Sequence, residues 1–472
     1  MHSYYAGVLV ALLFILTFAI TSIISAARKR SKADRVEAPP YPYAIPIIGN
    51  LVAFGCDMLG TIKSISHDYK NTPVRLHFFT QTIYFISGAQ SMRAIFSRSR
   101  DLSTKPLLLK ILASAFGLPT SDARIFESDN SGMYHKPSPG PEVAPDRRLF
   151  HNSHRLFSQE LTGQSLAELF RQFIRIFGLR LRKKSDEIGD WAEIPDIFGF
   201  IRDEAFIATT VAPCGENLLK FSADFAKDFW LFDAWVPKLV IEIPRWLIPK
   251  GFAVRDNVLQ SIMKWHEFSD KNFDSAGEIS DDVLWEPVYG HKLMRERAKM
   301  YKPTGLSAMG RAANDLGMVW GANANVVPSA SWCLIHILAD KELARRVREE
   351  IARAFPTEDL ESVDMAKLNS CPLLQSIIAE VLRLNMAVLI NRTSMIPDFR
   401  FGKWFVEQDK LMLASVYIAH RDETAWNTGR TLPDGKQEHP LDYFWAERCP
   451  RMSQRPLQWT CQERRSCRTF PL

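Results

Sequence analysis

The run Leu316-Gly-Met-Val-Trp-Gly-Ala-Asn-Ala-Asn-Val-Val-Pro-Ser-Ala-Ser-Trp-Cys-Leu-Ile-His-Ile-Leu338 has the length and apolar ends of a core helix, yet its middle carries Asn323, Asn325 and Pro328. Pro328 has no N–H, and its ring crowds the carbonyl four residues earlier, so a kink is expected just before it. Two amides inside an apolar helix are costly unless something there bonds to them. A second membrane span is one reading, and the polar centre argues against it. A plain core helix with its asparagines satisfied by neighbours is another. The functional reading is a distorted central helix that passes over a cofactor or substrate, with Asn325 offering hydrogen bonds there.

Downstream, Ile378-Ala-Glu-Val-Leu-Arg-Leu384 places Glu380 and Arg383 three apart, on one helix face and within reach of a forked, charge-assisted pair. The same spacing occurs at Glu168/Arg171, Glu242/Arg245, Glu342/Arg345 and Glu350/Arg353, and most such pairs are solvated bridges of little worth. Apolar flanks set Glu380/Arg383 apart and predict burial. A buried pair needs a further partner, and Tyr443-Phe-Trp-Ala-Glu-Arg-Cys449 supplies Arg448 in an aromatic setting.

Outward from these motifs the pattern is mainly helical, with amphipathic stretches at 155–184, 216–236, 254–275, 309–339, 340–356 and 373–385. Two β-rich runs between Val74 and Phe85 flank Thr80-Gln-Thr, a helix starts at Ala89, and a further hairpin pattern joins Phe399–Val406 to Leu411–Ile418. Residues 116–147 read as a long irregular loop. The fold class is mainly α with a small β portion.

At the N-terminus no charge interrupts Ser3 to Ala27, and Arg28-Lys-Arg-Ser-Lys32 comes directly after. The run is long enough to span a bilayer, and the basic end keeps the downstream chain on the cytosolic side. A cleaved signal peptide would have a shorter apolar stretch with the charge before it. Residues 1–32 are therefore read as a membrane anchor, 33–50 as a hinge stiffened by Pro39-Pro-Tyr-Pro42, 51–448 as the catalytic body and 449–472 as a basic tail.

The 472 residues are 46% hydrophobic and 24% charged, a globular composition that excludes a disordered or fibrous protein. A net charge of +6, spread along the chain, gives no sign of nucleic-acid binding. Seven cysteines without a Cys-x-x-Cys spacing suggest neither a zinc site nor a disulfide framework.

Anchor, proline hinge, kinked polar helix, buried Glu-x-x-Arg, hairpin, His420-Arg-Asp422 and Phe-Trp-Ala-Glu-Arg448 succeed one another in an order that resembles the cytochrome P450 superfamily of haem-thiolate monooxygenases, from about residue 39 to 448. The Ala-Asn-Val-Val-Pro328 stretch is similar to the branch holding sterol 7-alpha- and 12-alpha-hydroxylases, prostacyclin synthase and many fungal secondary-metabolism members. The resemblance implies a cytochrome P450 fold behind a single N-terminal transmembrane helix, in the endoplasmic reticulum membrane. It implies haem b, electrons from NADPH through a flavoprotein reductase, and a lipophilic substrate such as a sterol or terpenoid, entering past residues 116–147 and 216–236. It also implies that Glu380, Arg383 and Arg448 form the triad locking the haem-binding core, and that His151 and Arg155 reach a haem propionate.

Two departures from the family pattern stand out. Asn325 and Val326 occupy the place of an acidic residue followed by threonine; valine has no hydroxyl to pass protons, so Asn325 or a bound water would substitute, or the chemistry would be an isomerisation or dehydration that needs none. The tail after Cys449 has five arginines, one acid and no glycine where the family has its cysteine loop and closing helix. It reads as an altered reading frame, splice difference or gene-model error, leaving an inactive form. Arg465-Ser-Cys467 keeps the Arg-x-Cys part of the loop, which makes Cys467 the first choice of iron ligand and Cys461 the second.

Overall fold

Closely spaced prolines force an extended backbone, and the segment around Pro39-Pro-Tyr-Pro42 uses that shape to lie along a strand. Arg75 N–H donates to Pro39 O at 2.8 Å and Tyr41 N–H to Arg75 O at 2.9 Å. Asn50 fastens the end of the segment, its amide donating to Pro42 O at 2.9 Å and accepting from His77 N–H at 2.9 Å. The computed structural model describes residues 36–43, 45, 47–70, 72–98, 101–138, 143–275, 280, 282–356, 363–397, 399–422, 426 and 439–449. Residues 1–32, where an anchor is expected, Cys461, Cys467 and all the tail beyond Cys449 lie outside the described residues. Among those described, no helix is long and apolar enough to cross a membrane.

Nine strands are found among the described residues: β1 (Val74–Phe78), β2 (Gln81–Ile86), β3 (Leu102–Ser103), β4 (Trp285–Glu286), β5 (Gly290–His291), β6 (Leu389–Ser394), β7 (Phe399–Phe401), β8 (Trp404–Val406) and β9 (Leu411–Ser415). The chain divides into two compact units. One holds residues up to 107 and 383–444; the other holds 108–382 and continues from 445.

The first unit is built on a five-stranded sheet ordered β1-β2-β9-β6-β3. β1 and β2 form a tight hairpin in which Phe78 pairs with Gln81, and Phe79 takes the left-handed conformation that the turn needs (φ 51°). β2 and β9 run parallel, the other pairs antiparallel. Strand periodicity covers both faces. Ile83 and Phe85 of β2 and Leu413 of β9 pack with Ile62 and Ile65 on one side; Tyr84, Ile86, Met412 and Ala414 pack with Met92 and Ile95 on the other. The expected hairpin between Phe399–Val406 and Leu411–Ile418 does not form. β7 pairs with β8 in a small hairpin of its own, while β9 joins the large sheet and the chain turns helical at Val416–Ala419. Burial on both faces draws β9 into the sheet, because four of its five residues are buried.

The second unit is helical. The stretch 155–184 resolves into Leu149–Glu160 and Gly163–Ile188, and 216–236 into Asn217–Phe221 and Phe225–Val240. Helices Pro249–Ser275, Lys341–Ala354 and Pro372–Asn385 match the expected stretches, while Ile197–Cys214 is an additional one that is apolar on most sides. The 116–147 region is not wholly irregular, since it contains the helix Thr120–Ser128. That helix forms through distant partners: Asp122 accepts from Ser307 Oγ, and the Phe126 and Phe150 rings meet edge-on at 5.6 Å.

One buried ionic hub ties three helices of this unit together. Asp315 accepts from Arg297 Nε at 3.0 Å and Nη2 at 2.7 Å, and from His266 Nε2 at 2.9 Å. Burial pushes the Asp315 carboxyl up, but the Arg297 charge and the His266 hydrogen bond reverse this and hold it well below the usual carboxylate range.

Candidate functional site

The central helix is broken where Pro328 predicts. One helix runs Ala308–Asn323 and the next Val326–Ala339. The break falls at Ala324–Asn325, because the Pro328 ring needs the space of the Ala324 carbonyl, and the ladder resumes with Ser329 N–H to Asn325 O at 3.2 Å. The two asparagines have different fates. Asn323 is fully buried; its Nδ2 donates to Val319 O at 2.9 Å, and its Oδ1 faces the hydroxyl of Thr209, on the helix Ile197–Cys214, a hydroxyl that also lies within reach of Ala205 O at 2.9 Å and Phe206 O at 3.0 Å. Asn325 is exposed and makes no side-chain cap, and Val326 beside it is 54% exposed. The expectation of two buried amides is therefore corrected to one. Helical spacing explains the split: two residues apart on a helix is about 200°, so the pair cannot share a face.

Glu380 and Arg448 form a fully buried pair, with Arg448 Nε donating to Glu380 Oε1 at 2.9 Å and both side chains at 0% exposure. Trp445 N–H donates to the same oxygen at 3.1 Å, and one turn earlier Ser376 Oγ accepts from Cys449 N–H at 3.2 Å. Ser376 and Glu380 lie i, i+4 on Pro372–Asn385, so one face of that helix grips residues 445–449 at both ends. Glu350 caps the start of the helix, each carboxylate oxygen taking one backbone N–H, from Leu373 at 2.8 Å and Leu374 at 2.9 Å. In the other unit, Arg383 Nη1 donates to His420 O at 3.0 Å and its guanidinium lies over the Trp426 ring. The His420 imidazole answers with Nδ1–H to Arg383 O at 3.1 Å, and burial lowers its pKa to about 4.

His151 and Arg155 share the helix Leu149–Glu160. His151 Nδ1 bonds to Tyr134 O at 3.1 Å; a carbonyl only accepts, so Nδ1 carries the hydrogen and Nε2 is left over. Arg155 is exposed, and its guanidinium meets no acceptor among the described residues. Burial, then the nearby His151 and His135, pushes His154 toward its neutral form. Thr209, Ser376 and Trp426 escaped the sequence reading, and Glu350 was read only as half of a solvated Glu350/Arg353 bridge. Thr209 and Glu350 act across long separations that no local spacing marks, while the i, i+4 relation of Ser376 to Glu380 was a usable signal.

Among the described residues, no cluster of three or more His, Cys, Asp or Glu is arranged to hold a metal. Burial pushes the Cys214 and Cys371 thiols up, and the Cys333 thiol up to about 11, so none of these three supplies a thiolate near neutral pH.

Comparison with known proteins now defines the class. The sequence pattern of the cytochrome P450 family matches residues 39–430, and this chain belongs to that family of haem-dependent oxidoreductases. It is 30% identical over 436 residues to cytochrome P450 monooxygenase efuG of Hormonema carpetanum, covering 90% of this chain and 74% of that protein. It is 31% identical to cytochrome P450 monooxygenase fsoE of Humicola fuscoatra over 440 residues, covering 90% and 72%, and 23% identical to cytochrome P450 7A1 of Oryctolagus cuniculus, covering 82% and 73%. Among solved structures, a retinoic acid-bound cyanobacterial CYP120A1 shares the fold, with a TM-score of 0.62 at 17% identity over 88% of this chain and 82% of that one.

Proposed function

We propose that this chain is a monooxygenase that hydroxylates or epoxidises a lipophilic substrate such as a sterol, terpenoid or other secondary metabolite. Electrons come from NADPH through a membrane-bound flavoprotein reductase. The body faces the cytosol from the endoplasmic reticulum membrane, behind the anchor at 1–32. The broken central helix carries the reading: it presents exposed Asn325 and Val326 at a kink, in a family whose fungal relatives are named monooxygenases.

When bound, haem supplies redox-active iron whose thiolate ligand favours O–O cleavage. The chain's own residues hold it and serve it. Arg155 offers a forked donor set to a propionate carboxylate, and His151 lies one turn away on the same helix. Glu380 and Arg448 fix residues 445–449 and hence the start of the segment that carries the proposed ligands, Cys467 and then Cys461. The Asn325 amide has both donor and acceptor, so it orders a water for proton delivery where Val326 has no hydroxyl. Val326 also favours a second reading, an isomerase or dehydratase that rearranges a peroxide and draws no protons from solvent.

The test is a reduced, carbon-monoxide difference spectrum of membranes expressing the full chain, followed by paired turnovers. A strongly red-shifted Soret band that Cys467→Ser abolishes, with product formed only when NADPH and reductase are present, is the expected result. Turnover of a substrate hydroperoxide without reductase gives the second reading the field. Absence of the red-shifted band overturns both.

A further inference from the structure

Asp233 sits on Phe225–Val240 at the border of a face formed by Phe225, Phe229, Phe232, Val236 and Leu239, all buried. Its Oδ1 accepts the indole N–H of Trp320 at 2.8 Å, from the helix Ala308–Asn323. Phe116 closes the group, its ring 5.6 Å from Trp320 and 5.8 Å from Phe232. The chain can place Phe116 there because Gly117, next to it, turns at a φ of 77°. Trp320 lies four residues before the helix break, about 6 Å along the axis. The carboxylate is half-buried, and no cation pairs with it among the described residues. Burial pushes its pKa up, against the opposing hydrogen bond from Trp320. Oδ2 makes no hydrogen bond among the described residues, and Gly321, one residue beyond Trp320, faces open space.

This half-buried carboxylate beside aromatic rings has one oxygen committed to Trp320 and the other open to solvent, where it accepts from water until a better-placed donor displaces it. We propose that Asp233 Oδ2 is the acceptor for a hydroxyl group of the lipophilic substrate and holds that end of the molecule about one helical turn from the Ala324–Asn325 break. The assignment rests on the lipophilic-substrate reading above and adds a polar anchor to it. A hydroxyl is the donor that the lipophilic-substrate reading supplies; an ammonium ion is its competitor for this carboxylate, and the amine probe below decides between them.

Equilibrium dialysis of the full chain in detergent micelles, with a polycyclic triterpene alcohol and its deoxy hydrocarbon as probes, tests this without turnover. The wild type is expected to prefer the alcohol by about tenfold or more, the size of one hydrogen bond to a charged acceptor. Asp233→Leu loses that preference and keeps its affinity for the hydrocarbon, while Asp233→Asn, which loses the charge but keeps a hydrogen-bonding amide, narrows it. Trp320→Phe, which keeps a ring but frees Oδ1, narrows the preference, and it serves if Asp233→Leu does not fold. A preference that survives in Asp233→Leu overturns the proposal, as does tighter binding of the corresponding amine that Asp233→Asn abolishes. Equal binding of both probes by the wild type removes the role of Asp233 and leaves the lipophilic-substrate reading standing; binding of neither removes both.

Discussion

Around Glu380, polar atoms are shut in and answered: the Arg448 guanidinium and the Trp445 amide converge on a single carboxylate oxygen, with Ser376 holding the Cys449 amide one turn away. Around Asn325, a helix of the same length class is interrupted, and its polar side chain is left without a partner among the described residues. The first arrangement spends its hydrogen-bonding capacity on the fold. The second keeps that capacity available for something that arrives later. Asn323, two residues before Asn325, belongs to the first kind, so the boundary between the two regimes runs through the central helix itself.

The sharpest way to break this contrast is at Glu380. Glu380→Ala removes the buried carboxylate that Arg448 Nε and the Trp445 amide share, and should cost about 3–5 kcal/mol in urea unfolding; a loss under about 1 kcal/mol would place the pair among the dispensable bridges. Acid comes next. The His420 pKa of about 4 lies below its unfolded value of about 6.5, so the folded state binds fewer protons and stability is full above about pH 6.5. It should fall by up to about 3 kcal/mol as pH drops toward about 4, and His420→Asn should flatten that part of the thermal-unfolding profile. Thr209→Val, which strands the buried Asn323 oxygen, should lower stability by about 1–3 kcal/mol. Asn325→Ala should change it by no more than about 0.5 kcal/mol while lowering product formed per NADPH consumed. If calorimetry gives Asn325→Ala and Thr209→Val the same melting loss, the two asparagines do not differ as described.

How much of this was legible depended on distance along the chain. Pro328 announced the helix break because the clash is with a residue four positions away. The apolar flanks of Glu380 announced its burial in the same local way. Sheet order was hidden, since nothing near Leu411–Ser415 says that its neighbours are β2 and β6, and the closer run at Phe399–Val406 looked like the natural partner. Thr120–Ser128, at nine residues, is too short to hold as an isolated helix, and it exists through Ser307 and Phe150, which no window around it contains. The candidate site divides likewise. Asn325, Glu380 and Arg448 could be named from the sequence, whereas Thr209 became visible only when two helices were seen side by side.

The parallel pairing of β2 with β9 has a consequence for synthesis on the ribosome. Ile86 and Leu411 are separated by about 325 residues, and at about 5–20 residues per second the later strand emerges roughly 15–65 s after the earlier one. For that interval β2 is a short apolar edge with a row of unanswered backbone groups, while the helical segment between the two strands is still being made. The nascent chain therefore carries an adhesive N-terminal hairpin for most of its translation, and its yield in cells should depend on how fast codons are read and on what covers that hairpin in the meantime.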